Sequence, residues 1–86
     1  MQVLIMCRSL THAQRSALLL ERKGIGAAVV KAPQKLRANG CGYAVSVYRQ
    51  PGRALALLRE NGLLTGKVYR RLENGEYAEV FGDDLS

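Results

Sequence analysis

The sequence is poor in the residues that build metal centres and disulfide frameworks. It has one histidine, two cysteines and no tryptophan among 86 residues. Two cysteines are too few for a disulfide scaffold or a four-ligand zinc site, so we expect no metal and no bound cofactor. The apolar runs fall well short of the roughly 18 residues that a membrane-spanning helix needs. A secretion signal is not recognisable either, so we expect a cytoplasmic protein that contacts no membrane.

The composition otherwise fits one small folded domain. Hydrophobic residues make up 48% and charged residues 23%, which are ordinary values for a globular protein. The glycine patterns of nucleotide-binding loops are missing, and the basic part of the chain holds no pair of carboxylates suited to acid-base catalysis. We expect a single domain over residues 1–81 and a frayed acidic tail at 82–86. Any chemistry would use a thiol, or the protein would act by binding.

The net charge of +6 is unevenly distributed. All 13 basic residues lie in residues 1–72 with only Glu21 and Glu60, which gives that part +11, and the last fourteen residues carry −5. A basic body predicts an anionic partner, such as nucleic acid or an acidic protein. The acidic end could fold back on the body or stay solvated.

Hydrophobic periodicity and turn residues predict five strands and two helices. The first helix begins with a cap at Ser9 or Thr11 and ends at Gly24, and Gly62 ends the second. The strands are predicted over residues 2–7, 25–31, 43–48, 67–72 and 76–81. This order, β-α-β-β-α-β with an appended C-terminal hairpin strand, predicts an α+β, ferredoxin-like fold: an antiparallel sheet of order 4-1-3-2 with two helices on one face. The expected core residues are Val3, Ile5 or Leu4, Ala13, Ala17, Leu20, Val30, Val45, Leu57 and Val68.

Antiparallel pairing of strands 1 and 3 would bring the candidate functional residues to one edge of the sheet. Strand 1 would end where strand 3 begins, and the first helix would start at the same place. Cys7, Ser9, His12 and the loop that carries Cys41 should therefore converge there.

Cys41 is the main candidate for thiol chemistry. It lies between Gly40 and Gly42 at the end of a long loop that also carries Arg37. Cations and a helix N-terminus favour the reactive thiolate, so we expect Cys41 to react more readily than Cys7. The alternative is that Cys41 is only a small residue at the start of a strand.

Two other residues have both a structural and a functional interpretation. Cys7 ends an apolar strand, so it is either a buried inert thiol or a resolving partner for Cys41. His12 is either a partly exposed helix residue or a group that assists the thiol.

Several short motifs resemble a known family, the selenium/sulfur carrier protein-like family of small bacterial domains. The likeness covers about residues 2 to 70 and rests on Ser9-Leu10-Thr11-His12-Ala13, Gly24-Ile25, Pro33, Leu36 and Cys41-Gly42-Tyr43-Ala44. The resemblance implies a carrier rather than a true enzyme, with a cysteine that holds sulfur or selenium as a persulfide or selenosulfide between a donor and an acceptor protein. That role maps onto Cys41, with Gly40, Gly42, His12, Arg37 and Cys7 in support. Members of the family often have a glutamate in the middle of the first helix, whereas this chain has Ala17 near that place.

A binding module without chemistry is the competing interpretation. RNA could stack on Tyr43, Tyr48 and Tyr69 of the predicted strands, although strand 1 lacks the aromatic residue that ferredoxin-like RNA-binding modules use. We therefore consider RNA the weaker hypothesis. A protein partner could use the sheet edge, and strand 2 at that edge could also pair into a homodimer.

Overall fold

The computed structural model describes residues 2–37, 42–64 and 66–80. Its elements are β1 (Val3–Cys7), α1 (Leu10–Arg22), β2 (Ala27–Lys31), a 3₁₀ turn (Gln34–Leu36), β3 (Tyr43–Val47), α2 (Pro51–Glu60), β4 (Val68–Arg71) and β5 (Tyr77–Val80). The five strands form one antiparallel sheet of order β2-β3-β1-β4-β5. This is an α+β arrangement compatible with the expected ferredoxin-like fold, and β5 is added beside β4.

The residues at the starts and ends of the helices are suited to those positions. Ser9, and not Thr11, caps α1: its Oγ accepts a hydrogen bond of 3.2 Å from the His12 N–H. Gly24 follows α1 with a φ of +82°, a conformation that favours glycine. Pro51 is the first residue of α2, where its missing N–H costs nothing. Within the described residues, neither helix is long and apolar enough to cross a membrane.

Both helices pack on the same face of the sheet. β1 is buried along its whole length, as a central strand should be. The helix-side core contains Val3, Ile5, Cys7, Ala13, Ala17, Leu20, Ile25, Val45, Val47, Ala54, Leu55, Leu58, Val68 and Val80. Two expected core residues differ: Leu57 is only half-buried at the margin, and Val30 lies on the opposite face.

The opposite face of the sheet is covered in part by the chain that follows β2. Leu36 of the 3₁₀ turn packs against the buried cluster on this face, which consists of Leu4, Met6, Ala32 and Ala44. Lys35 Nζ lies 3.4 Å from Glu76 Oε1, in the hairpin that joins β4 to β5. Since β2 is the edge strand on the far side, residues 33–37 extend across the sheet towards that hairpin.

Candidate functional site

The end of β1, the start of β3 and the start of α1 share one edge of the sheet. Cys7, the last residue of β1, lies opposite Tyr43, the first residue of β3. α1 begins three residues after Cys7, at Leu10. The predicted convergence of the described residues Cys7, Ser9 and His12 on this edge follows from that register.

Cys7 lies inside the helix-side core. Its side chain is 1% exposed, and its thiol donates a hydrogen bond of 3.4 Å to the carbonyl oxygen of Ile5. A reagent or a partner protein in solution therefore cannot reach this sulfur while the domain is folded. Burial fits the interpretation of Cys7 as a structural thiol, and its role as a resolving partner stays a prediction because Cys41 lies outside the described residues.

Cys41 and Gly40 lie outside the described residues. Gly42, which is bonded to Cys41, is half-buried, and its carbonyl oxygen accepts a hydrogen bond of 3.0 Å from the Ala32 N–H. This bond continues the ladder in which Lys31 pairs with Tyr43. The two ends of the loop that holds Cys41 are thus fixed side by side at the sheet edge.

The described part of the loop is also tied to its own base. Arg37 Nε donates a hydrogen bond of 2.7 Å to the carbonyl oxygen of Ala32, so Ala32 binds the loop through both of its backbone polar groups. Ala32 itself is buried. Arg37 therefore contributes to the shape of the loop through its Nε, whatever its remaining N–H groups bind.

Gly42 has open space around it. A methyl group added at its Cα would have no heavy atom within 4 Å outside its chain neighbours. The fold at this point does not require glycine by close packing.

The ring of His12 joins two separate parts of the chain. Its Nδ1 accepts a hydrogen bond of 3.2 Å from the Arg8 N–H, and its Nε2 lies 2.8 Å from the carbonyl oxygen of Leu63. Because Nδ1 accepts, the hydrogen is assigned to Nε2, and the neutral ring satisfies both contacts. His12 thereby links the β1–α1 turn to the connection between α2 and β4.

Two features near this edge were missed in the sequence. The contact of His12 with Leu63 spans 51 positions and uses a backbone carbonyl, which leaves no pattern in the side chains. A cleft of about 300 Å³ also lies beside α1, lined by Arg8, Ser9, Thr11, His12, Arg15, Gly62 and Leu63. The seven-residue spacing of Arg8 and Arg15 in the sequence is the signal that could have indicated it. Among the described residues, no group of three or more His, Cys, Asp or Glu side chains could hold a metal ion.

The three tyrosines considered for RNA stacking do not share a surface. Tyr43 packs against the helix-side core, whereas Tyr69 packs on the opposite face beside Tyr77. Tyr48 follows the end of β3 and is 62% exposed. An RNA platform needs its rings on one accessible face, so these positions argue against that hypothesis.

The chain matches a known protein family. A family model described as "Putative Se/S carrier protein-like" matches residues 2–70, from the residue before β1 to within β4. No curated protein and no solved structure matches the chain. The matched range includes the whole edge described above, together with the loop that carries Cys41.

Proposed function

The chain belongs to the Putative Se/S carrier protein-like family, and from that premise we propose that it carries sulfur or selenium on Cys41. In this proposal Cys41 receives the atom from a donor protein and passes it to an acceptor protein. The chain acts as a carrier, and its cargo is a substrate held by one covalent bond. The family points to protein partners, while the choice of Cys41 rests on the residues of this chain.

The transfer step needs only a thiolate and a persulfide. The Cys41 thiolate attacks the outer sulfur of a donor persulfide, R–S–SH; the donor S–S bond breaks, R–S⁻ leaves, and Cys41 becomes Cys–S–SH. No electrons are gained or lost overall, and the outer sulfur keeps its proton. Attack on a donor selenosulfide, R–S–SeH, gives Cys–S–SeH by the same balance. Delivery is the reverse step, with an acceptor thiolate attacking the outer atom.

The observation that carries the proposal is the contrast between the two cysteines. Cys7 is 1% exposed in the core, which removes it as a carrier that must meet two partner proteins. Cys41 is bonded to Gly42 at the base of a loop whose described residues Gln34, Lys35 and Arg37 are exposed. A carrier thiol has to be accessible, and among the two cysteines the surroundings of Cys41 support that requirement better.

The supporting residues have distinct roles in this proposal. Ala32 and Arg37 hold the base of the loop. Gly40 and Gly42 place no side chain next to Cys41 in the sequence. His12 is a positioning residue that keeps the β1–α1 turn beside the α2–β4 connection. Arg8 and Arg37 add positive charge on this side of the molecule, which stabilises a thiolate or persulfide anion.

Intact-mass analysis after exposure to glutathione persulfide tests the proposal. The unchanged chain and Cys7→Ala should each gain the mass of one sulfur atom, removable by an added thiol, whereas Cys41→Ser should gain none. Cys7→Ala is the matched control because it keeps the core apolar, and circular dichroism shows whether each variant is folded. Loading of Cys41→Ser to the level of the unchanged chain would contradict the proposal, as would no loading of the folded, unchanged chain.

A further inference from the structure

Three arginines recur along one side of α1 and its N-terminal turn. Arg8, Arg15 and Arg22 are spaced at seven residues, which is close to two helical turns, and all three are exposed. Arg8 and Arg15 line the cleft of about 300 Å³ that reaches Leu63. Arg15 and Arg22 line a second cleft of about 300 Å³, which also reaches Leu63. The two clefts therefore adjoin at Arg15 and Leu63, and we call their combined surface the arginine groove.

The described residues that line the arginine groove include no acidic side chain to balance its positive charge. Neither cleft has an aspartate or glutamate among its lining residues. Within the described part of the chain, the two ion pairs are Lys35 with Glu76 and Lys67 with Glu79, and neither includes an arginine. The groove therefore presents positive charge that a partner can pair with.

The second cleft is also apolar between its arginines. Leu18 is 49% exposed, and half-buried Leu19 and Leu63 extend from the helix-side core to the same cleft. An exposed leucine flanked by two arginines matches a partner segment that has apolar and acidic residues on one face. Helices bind such grooves through anchors at spacings of about three, four and seven residues.

We propose that the arginine groove binds an acidic, leucine-bearing helical segment of a partner protein. Carboxylates of the segment pair with the arginines, where bidentate geometry favours Arg over Lys, and a leucine of the segment covers Leu18. The groove begins at Arg8, one residue after Cys7 and beside the edge where the Cys41 loop is anchored. Identifying the segment with a donor or acceptor of sulfur rests on the proposed function; the binding surface itself does not.

An acidic protein segment fits this groove better than RNA. Single-stranded RNA gains much of its affinity from bases stacked on aromatic rings, and neither cleft is lined by Phe, Tyr or Trp. The one imidazole in the first cleft, His12, is held by hydrogen bonds at both ring nitrogens. Leucines do not provide that platform. Phosphates alone would give weak binding that falls steeply with salt, whereas a leucine contact persists at higher salt.

Fluorescence anisotropy with a designed peptide tests the groove directly. The probe is a labelled helical peptide of about 20 residues, long enough to be partly helical alone, with glutamates at seven-residue spacing and leucines between them. Arg15→Glu should weaken its binding about tenfold or more, because it places a like charge at the point where the clefts adjoin. Arg53→Glu is the matched control: it makes the same charge change on an exposed residue of α2 and should alter binding by less than about twofold.

Additional variants and probes distinguish the other possible occupants of the groove. Leu18→Gln should weaken peptide binding about fivefold, and Asp83→Asn with Asp84→Asn in the full chain should leave it unchanged. Equal losses for Arg15→Glu and Arg53→Glu, no loss for Leu18→Gln, or tighter binding of a single-stranded RNA that depends on Arg15 would overturn the proposal. Much tighter peptide binding by the variant with both aspartates replaced would also overturn the proposal, since the chain's own acidic end would then be the occupant of the groove. Cys41→Ser should bind the peptide normally, so failure of sulfur loading and failure of the groove are separate results.

Discussion

Replacing His12 with alanine removes a side chain that links the β1–α1 turn to the connection after α2. The Nε2–H of His12 donates to the Leu63 carbonyl at 2.8 Å, and Nδ1 accepts from the Arg8 N–H at 3.2 Å. The first hydrogen bond is partly buried and the second is exposed. Water can replace the exposed bond at little cost, so the loss in stability comes mainly from the bond to Leu63.

We expect His12→Ala to lower the free energy of unfolding by about 1 to 1.5 kcal/mol. A typical hydrogen bond contributes about 1 kcal/mol net, and the exposed bond adds a few tenths at most. For a domain of this length each kcal/mol shifts the melting temperature by about 4 to 8 °C, so the expected decrease is about 4 to 12 °C. Thermal unfolding followed by circular dichroism measures it.

Gln14→Ala is the matched control, since Gln14 is exposed on α1; it should leave the melting temperature almost unchanged. Below the melting temperature of the His12→Ala variant, a small reagent should alkylate its Cys41 at a rate within about twofold of that in the unchanged chain. The reason is that both ring nitrogens of His12 are already bonded to backbone groups. An unchanged melting temperature together with a loss of about a hundredfold in Cys41 reactivity would refute this reasoning and make His12 a general base.

Four further substitutions test the packing around the site by thermal or denaturant unfolding. Ser16→Ala should stabilise the domain by about 1 kcal/mol, since the buried Ser16 Oγ has no hydrogen-bond partner among the described residues; destabilisation would contradict this. Gly66→Ala should cost about 1 to 3 kcal/mol, because its new methyl group would lie 2.5 Å from the Met6 carbonyl oxygen; no loss would refute the close approach. Leu36→Ala should cost about 1 to 2 kcal/mol and Lys35→Ala almost nothing, since Leu36 packs on the sheet while the Lys35 ion pair is exposed; the reverse order would show that the ion pair holds the loop.

The architecture could be predicted because several sequence signals agree. The fully apolar run of β1 indicated a central strand, and the order of strands and helices then placed it between β3 and β4. Antiparallel pairing of β1 with β3 follows from that order, and it fixes the edge where Cys7 meets Tyr43. The site's location therefore follows from topology, before any side-chain contact is known.

The two core residues that were predicted wrongly, Leu57 and Val30, depend on the rotation of α2 and the register of β2. A run of leucines or valines in the sequence does not determine either. Four apolar residues in the segment Leu55–Leu58 allow more than one helix face, and packing buries Leu55 and Leu58 while Leu57 stays at the margin. In β2, Val29 pairs with Val45 and faces the helices. Because side chains alternate between the two faces along a strand, Val30 faces the other side.

The contacts that shape the site could not be predicted from composition at all. In each of these contacts the acceptor is a backbone carbonyl oxygen: within the 3₁₀ turn, in the bond from Arg37 to Ala32 and in the bond from His12 to Leu63. Every residue has such a group, so no residue type at the accepting position signals the contact. The assignment of Cys41 as the carrier thiol remains a prediction, since Cys41 lies outside the described residues.

Competitive alkylation of the folded chain tests the central claim most directly. A small alkylating reagent is added in limiting amount under native conditions, and peptide-resolved mass spectrometry reports the modified fraction of Cys41 and of Cys7. Because Cys7 is 1% exposed, its modification requires opening of the core, so Cys41 should be modified long before Cys7. Faster modification of Cys7, or a Cys41 that stays unmodified until the domain unfolds, would contradict the account.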